Sequence, residues 1–180
     1  MALSATIYAF TVRLANADRG VYETLSLRLA RHPSETGEYL LTRVLAYCLE
    51  HAEGIAFSKG LSDTDEPAIA VRDLTGVLLS WVDIGAPDAA RLHKAAKAAR
   101  RVVVYAHRDV APWLARLGTE RIHRAESIEI VEMDKALIGD LVKRLERRMD
   151  FDLSVSEGTL YVSIGDDTLS GTLAPRRLNG

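Results

Sequence analysis

Cysteine is almost absent from the chain: Cys48 stands alone. A single thiol closes no intramolecular disulfide and builds neither a four-cysteine zinc site nor a CxxC redox couple, so a reducing, cytoplasmic setting is expected. Long apolar runs are missing too. They fall well short of the roughly 20 residues that span a bilayer, so neither a transmembrane helix nor a membrane partner is expected. The opening MALSATIYAF lacks the basic start and apolar run of a secretory signal. Nor does charge of one sign dominate. Lys and Arg number 23 against 25 Asp and Glu, giving a net charge of −2 with the five histidines neutral. That excludes a uniformly cationic nucleic-acid binder and leaves room for a locally basic groove. Internal repeats, low-complexity segments, the GxxxxGK(S/T) phosphate loop, GxGxxG after a strand, GxSxG and HExxH are all missing. His32, His51, His93, His107 and His123 fall at no paired metal-ligand spacing, which leaves them surface or cap roles.

What is present is 180 residues, 48% hydrophobic and 27% charged, the make-up of a single globular domain over residues 1–180. In residues 5–14, Tyr8, Phe10, Val12 and Leu14 share one parity. Beyond the turn-like cluster Asn16-Ala17-Asp18-Arg19-Gly20, Leu25, Leu27 and Leu29 alternate with Thr24, Ser26 and Arg28. This pattern predicts a hairpin. His32-Pro33-Ser34-Glu35-Thr36 reads as a helix start, with Ser34 as N-cap and Glu35 at the positive end of the dipole. Leu40, Leu41, Val44, Leu45 and Cys48 carry that helix to about His51, where it would cover one face of a sheet. Residues 52–67 read as irregular. Segments 68–72 and 77–84 flank the turn Asp73-Leu74-Thr75-Gly76 as a second hairpin. Pro87 and Asp88 then open a helix with the stripe Leu92, Ala95, Ala96 and Ala99. RVVVYA over 101–106 follows, a run apolar enough to be a strand buried on both faces. A short helix over 111–117, a strand over 127–131 and an amphipathic helix over 133–149 come next. Strands at 151–155, 160–164 and 169–173 close the chain. The predicted order is ββαββαβ(α)βαβββ, an α/β domain with a mixed β-sheet flanked by helices.

Two signals carry chemistry. On the 77–85 strand, Val77, Leu79, Trp81, Asp83 and Gly85 share a face, so Asp83 continues a large apolar surface. A carboxylate there must be paired, hydrogen-bonded or bound to a cation. Hairpin arithmetic centred on Leu74-Thr75 places Asp83 opposite Glu66 or Pro67. Two close carboxylates suit a divalent ion such as Mg²⁺ or Mn²⁺; alternatively Glu66 is a solvated loop residue and Asp83 a helix cap. The second signal is basic: Arg91, Lys94, Lys97, Arg100, Arg101 and Arg108 fall in a stretch with no Asp or Glu. That is either a solvated helix face or a set of phosphate contacts.

The blocks ALSATIY, LARHPSETGEYLLTRVLAY, KGLSDTDEP and WVDIGAPDAARLHKA resemble the YaeQ family of small bacterial proteins over nearly the whole chain. The resemblance implies a PD-(D/E)XK nuclease-like core with extra β-strands at both termini, in which an acidic pair and a lysine surround Mg²⁺. Glu66 beside Pro67 resembles the first acidic position and Asp83 the second. The motif lysine is replaced by Gly85. Lys94 on the following helix is the candidate replacement, with Lys97 behind it; Arg91 flanks the apolar stripe and is better aimed. Glu38 and Glu35 are candidates for the additional acid that this fold often carries on its first core helix. Two functions follow from the resemblance. One is a Mg²⁺- or Mn²⁺-dependent nuclease acting on DNA or RNA phosphodiesters, with Glu66, Asp83 and Glu38 holding the ion and Lys94 or Arg91 assisting. The other is a catalytically inactive nuclease-fold module that binds nucleic acid or protein.

Overall fold

Two strongly alternating segments open the chain and pair with each other. β1 (Thr6–Asn16) and β2 (Val21–Arg31) form an antiparallel hairpin in which Phe10 faces Leu27 and Val12 faces Leu25, all four buried. The chain continues through α1 (Gly37–Leu49), β3 (Ile55–Phe57), β4 (Ile69–Arg72), β5 (Leu78–Ile84), α2 (Ala89–Ala98), β6 (Arg101–Ala106) and α3 (Ala111–Leu117). It ends with β7 (Glu129–Met133), α4 (Lys135–Val142), β8 (Arg148–Ser156), β9 (Thr159–Ile164) and β10 (Asp167–Arg176). The computed structural model describes residues 4–58 and 65–178. The expected Lys59-Gly60 and Ser62-Asp63-Thr64 loop positions lie outside the described residues.

The described strands form one ten-stranded mixed sheet in the order β2-β1-β8-β9-β10-β7-β6-β5-β4-β3. Neighbours are antiparallel except β1 with β8, β6 with β7, and β5 with β6. Strand β8 lies beside β1, so both ends of the chain supply strands to one sheet. β5, α2 and β6 form the expected strand–helix–strand unit, with β6 buried on both faces from Val102 to Ala106.

Side-chain alternation splits the core in two. Val82, Ile84, Val103 and Tyr105 point towards α1 and join Phe10, Val12, Phe151 and Leu153 from the other half of the sheet. Trp81, Val102, Val104 and Ala106 point the opposite way, onto Leu92, Ala95 and Ala96 of α2 and Trp113 of α3. Helix α1 therefore does more than cover one face. Leu40, Leu41, Val44, Leu45, Ala46 and Cys48 are all fully buried, because both halves of the sheet pack on the same helix. Strand twist accumulating over so many strands brings those halves round.

Four local expectations change. The N-cap of α1 is Thr36, whose Oγ1 accepts the Tyr39 N–H at 3.1 Å, whereas Ser34 hydrogen-bonds the His32 ring. Glu35 consequently precedes the helix and is buried; the first-turn acid is Glu38. Within the expected irregular stretch, Ile55–Phe57 pairs with β4 as an edge strand too short to show periodicity. The expected 133–149 helix is only α4. Met133 ends β7, Asp134 caps α4 by accepting the Ala136 and Leu137 N–H groups, and Met149 belongs to β8. There Met149, Phe151, Leu153 and Val155 are buried in alternation. Pairing with β1 overrides a helical spacing that the apolar residues alone sustain.

Candidate functional site

Parallel strands β5 and β6 end side by side beneath the N-terminal end of α1. Crevices outside the carboxyl ends of such strands are where open α/β sheets hold ligands. Asp83, next to last in β5, shares the face of Trp81 as its parity predicts, and is 2% exposed. Its strand partner differs from the arithmetic. A register shift between Val71 and Arg72 moves the pairing, so Ile69 faces Val82 and Asp83 stands beside Ala68, past which Pro67 and Glu66 leave the sheet. The Ala68 N–H donates to Asp83 Oδ1 at 3.3 Å. The bulge was not legible because turn composition does not count residues in a bulged strand. Glu66 is exposed, yet it and Asp83 line one cavity of about 250 Å³, together with Tyr39, Arg43, Ser58 and Arg91.

Arg91 occupies the space between the two acidic positions. Asp88 caps α2 by accepting the Arg91 N–H at 2.8 Å, which fixes the first turn against β5. From there Arg91 Nε donates to Asp83 Oδ2 at 2.6 Å and Nη2 to Asp83 Oδ1 at 2.9 Å. Nη2 also donates to the Glu66 carbonyl at 2.8 Å, and the guanidinium lies 5.3 Å from the centre of the Trp81 ring. The hydrogen bonds to Asp83 hold the Arg91 pKa above its ordinary value. A forked guanidinium–carboxylate pair is the strongest arrangement such groups can make.

The other sequence candidates are placed elsewhere. Lys94 points to the exposed carboxylate of Asp65, pairs with it and pulls that carboxyl below its usual range. Lys97 is exposed on the last turn of α2. Glu38 is half-buried and does not line the cavity that Glu66 and Asp83 share. Glu35 is buried against Arg43, whose Nη2 lies 3.3 Å from Glu35 Oε2. The basic run is dispersed rather than gathered: Arg91 meets Asp83, Lys94 meets Asp65, and Arg101 bonds both Glu50 and Glu129 at the far end of β6.

Three site residues were missed. Arg43 is buried inside the apolar run of α1; it donates to the Ala30 carbonyl at 2.8 Å, and its Nε has no hydrogen-bond partner among the described residues. Burial draws its pKa down. An arginine in the middle of LLTRVLAYC was the available signal. Tyr39, whose hydroxyl burial raises to about 12, forms a wall common to two cavities. The second cavity, about 290 Å³, is lined by Glu35, Tyr39, Gly85, His107, Arg108 and Trp113 among others. Burial and then Arg108 lower the His107 pKa, and Glu38 opposes them, so the ring is neutral at pH 7.

The residues present do not fit the divalent ion that the resemblance implies. Both Asp83 oxygens are engaged by a cation, the Glu66 side chain is exposed, and no three His, Cys, Asp or Glu side chains converge as a metal-holding group among the described residues. Among those residues, no helix is long and apolar enough to cross a membrane.

Comparison with known proteins places this geometry in context. The family model described as YaeQ protein matches residues 1–173. An uncharacterized protein YaeQ of Salmonella typhi is 33% identical over 166 residues, covering 91% of each chain. Its counterpart in Escherichia coli K12, likewise uncharacterized, is 32% identical over 176 residues and 96% of each chain. The crystal structure of YaeQ protein from Pseudomonas syringae superposes with a TM-score of 0.86 at 32% identity, over 95% of both chains. That from Xanthomonas axonopodis pv. citri gives 0.81 at 30% identity, over 97% of this chain and 99% of the other.

Proposed function

The chain belongs to the YaeQ family, and from that premise we propose that it is a nucleic-acid-binding protein on a PD-(D/E)XK nuclease-like scaffold that has lost its metal chemistry. The observation that carries this reading is Arg91. Its guanidinium bonds the Asp83 carboxylate and the Glu66 backbone together, and so supplies a fixed positive charge where the resemblance puts a divalent ion. Gly85, standing where the nuclease motif has lysine, points the same way. Arg43 adds a buried guanidinium to the cavity, with an N–H that no group accepts among the described residues. A planar, permanently charged fork of this kind suits the oxygens of a phosphodiester. With the cation built in, binding requires no metal, and no hydrolysis follows. A bacterial cytoplasmic location belongs to the same proposal and fits the single, buried, reduced thiol of Cys48.

The test is binding of labelled single- and double-stranded DNA and RNA by fluorescence anisotropy, with EDTA and with Mn²⁺. We expect affinity that is the same in both and falls steeply with salt, because counterions are released from each phosphate contacted. We also expect no cleavage, and a melting temperature that Mn²⁺ leaves unchanged. Metal-dependent cutting, or a Mn²⁺-induced rise in melting temperature abolished by Asp83→Ala, would establish the nuclease reading instead. That rival is favoured by one observation: Glu66 and Asp83 do line a common cavity.

A further inference from the structure

We propose that the cavity beside Arg91 receives one unstacked nucleobase, which makes the ligand single-stranded nucleic acid held by a base as well as by its phosphate. The inference rests on the phosphate-binding reading above and assigns a second subsite to it.

The two cavities lie side by side, with Tyr39, Ile84 and Ala86 in the walls of both. Their chemistry differs as a nucleotide's two ends differ. One carries Arg43 and Arg91. The other presents aromatic side chains: the Tyr39 and His107 rings stand at 90° with centres 6.5 Å apart, and Trp113 is held by its indole N–H to the Pro87 carbonyl at 2.8 Å. Flat rings of this kind are platforms for any base, because every base has a π-face. The volume, about 290 Å³, sits at the small end of ligand cavities. That accommodates a single ring system.

Glu35 gives the subsite its polarity. Its side chain is 1% exposed, and Oε1 accepts the His32 N–H at 3.3 Å. Oε2 faces Arg43 at 3.3 Å but has no hydrogen bond among the described residues. A carboxylate in the wall of this cavity disfavours a phosphate there, so the nucleotide enters base first. Gly85 keeps the space open. At φ +91°, a Cβ there would lie 3.9 Å from Tyr39 Cε2, so a longer side chain would project between Tyr39 and the strand ends. The position that lost the motif lysine has thereby become part of the cavity wall.

A duplex must unpair and unstack a base to use this subsite, whereas a single strand need not. The experiment compares, at one fixed salt concentration, a single-stranded DNA oligomer, the same oligomer with abasic sugars throughout, and the duplex. We expect the base-containing strand to bind at least about tenfold more tightly than the abasic strand, the scale of one base stacked on an aromatic side chain. The duplex should match the abasic strand. Tyr39→Leu should erase the base-dependent gain, so that base-containing and abasic strands bind alike, while Tyr39→Phe keeps the difference. Equal binding of base-containing and abasic strands by the unaltered protein would overturn the base subsite and leave the phosphate reading standing. Binding of none of the three would overturn both.

Discussion

Replacing Arg91 with leucine asks directly whether its guanidinium does an ion's work. Asp83 is 2% exposed, and without Arg91 its remaining hydrogen-bond partner among the described residues is the Ala68 N–H at 3.3 Å. Removing one member of a buried ion pair costs about 3–5 kcal/mol, because the survivor stays charged and desolvated. Arg91 is itself 27% exposed, so water already weakens the pair and the lower end, about 3 kcal/mol, is expected. For a domain of this size that corresponds to a fall of about 6–12 °C in melting temperature. Asp83→Leu should cost less, about 1–2 kcal/mol, since the released guanidinium can turn towards solvent. The double variant Arg91→Leu/Asp83→Leu should recover most of the loss, as apolar replacements of buried pairs often do. Urea unfolding of the four proteins closes the cycle. Arg91→Leu also empties the carboxylate of its cation, so Mn²⁺ should stabilise this variant, by about 2.7 kcal/mol at a hundredfold excess over its dissociation constant. It should do nothing for the unaltered protein. An Arg91→Leu cost below about 1 kcal/mol, or equal Mn²⁺ stabilisation of both proteins, would refute the reasoning.

Three further outcomes are expected. Thr36→Ala should destabilise by about 1 kcal/mol through loss of the cap on the Tyr39 N–H, and Ser34→Ala by less than about 0.5 kcal/mol, both read from urea midpoints. Gly171→Ala places a Cβ 2.7 Å from Asp134 Cβ and 2.8 Å from Leu137 Cβ, prying α4 from β10 at a cost of about 1–3 kcal/mol, visible by the same measurement. His107 titrates lower in the fold than in the unfolded chain, which keeps a value near 6.5, so the unfolded state binds more protons between the two. Stability present above pH 6.5 is therefore lost as pH falls through that window. Unfolding at pH 7.5 and 5.5 should show a smaller drop for His107→Phe than for the unaltered protein; an equal drop would count against a buried neutral imidazole.

Much of the scaffold was legible because its rules are local. Tyr8 to Leu14 and Leu25 to Leu29 alternate without interruption, and they form the hairpin that alternation predicts. RVVVYA has no polar parity, and it is the strand covered on both faces. Asp83 breaks an apolar face, which announces a compensated charge before any partner is known. Arg91, flanking the apolar stripe of its helix, was the better aimed of the basic candidates, and it is the one that meets Asp83.

Other features depend on residues far apart in the sequence. The bulge beside Val71 moved the partner of Asp83, and no composition of the turn encodes that shift. The helix expected over 133–149 stops at Val142 because β1, over a hundred residues earlier, offers an edge to β8. Arg43 and Tyr39 became site residues only when the sheet closed on α1 from both sides. The sequence by itself determined the periodicities, the lone thiol and the need for a compensating partner at Asp83, since each is a property of neighbouring residues or of one buried charge. Tertiary structure alone decided that the cation is Arg91, bound also to the Glu66 carbonyl, because the choice among nearby positive groups is made by distance and angle across elements that meet only in the folded chain.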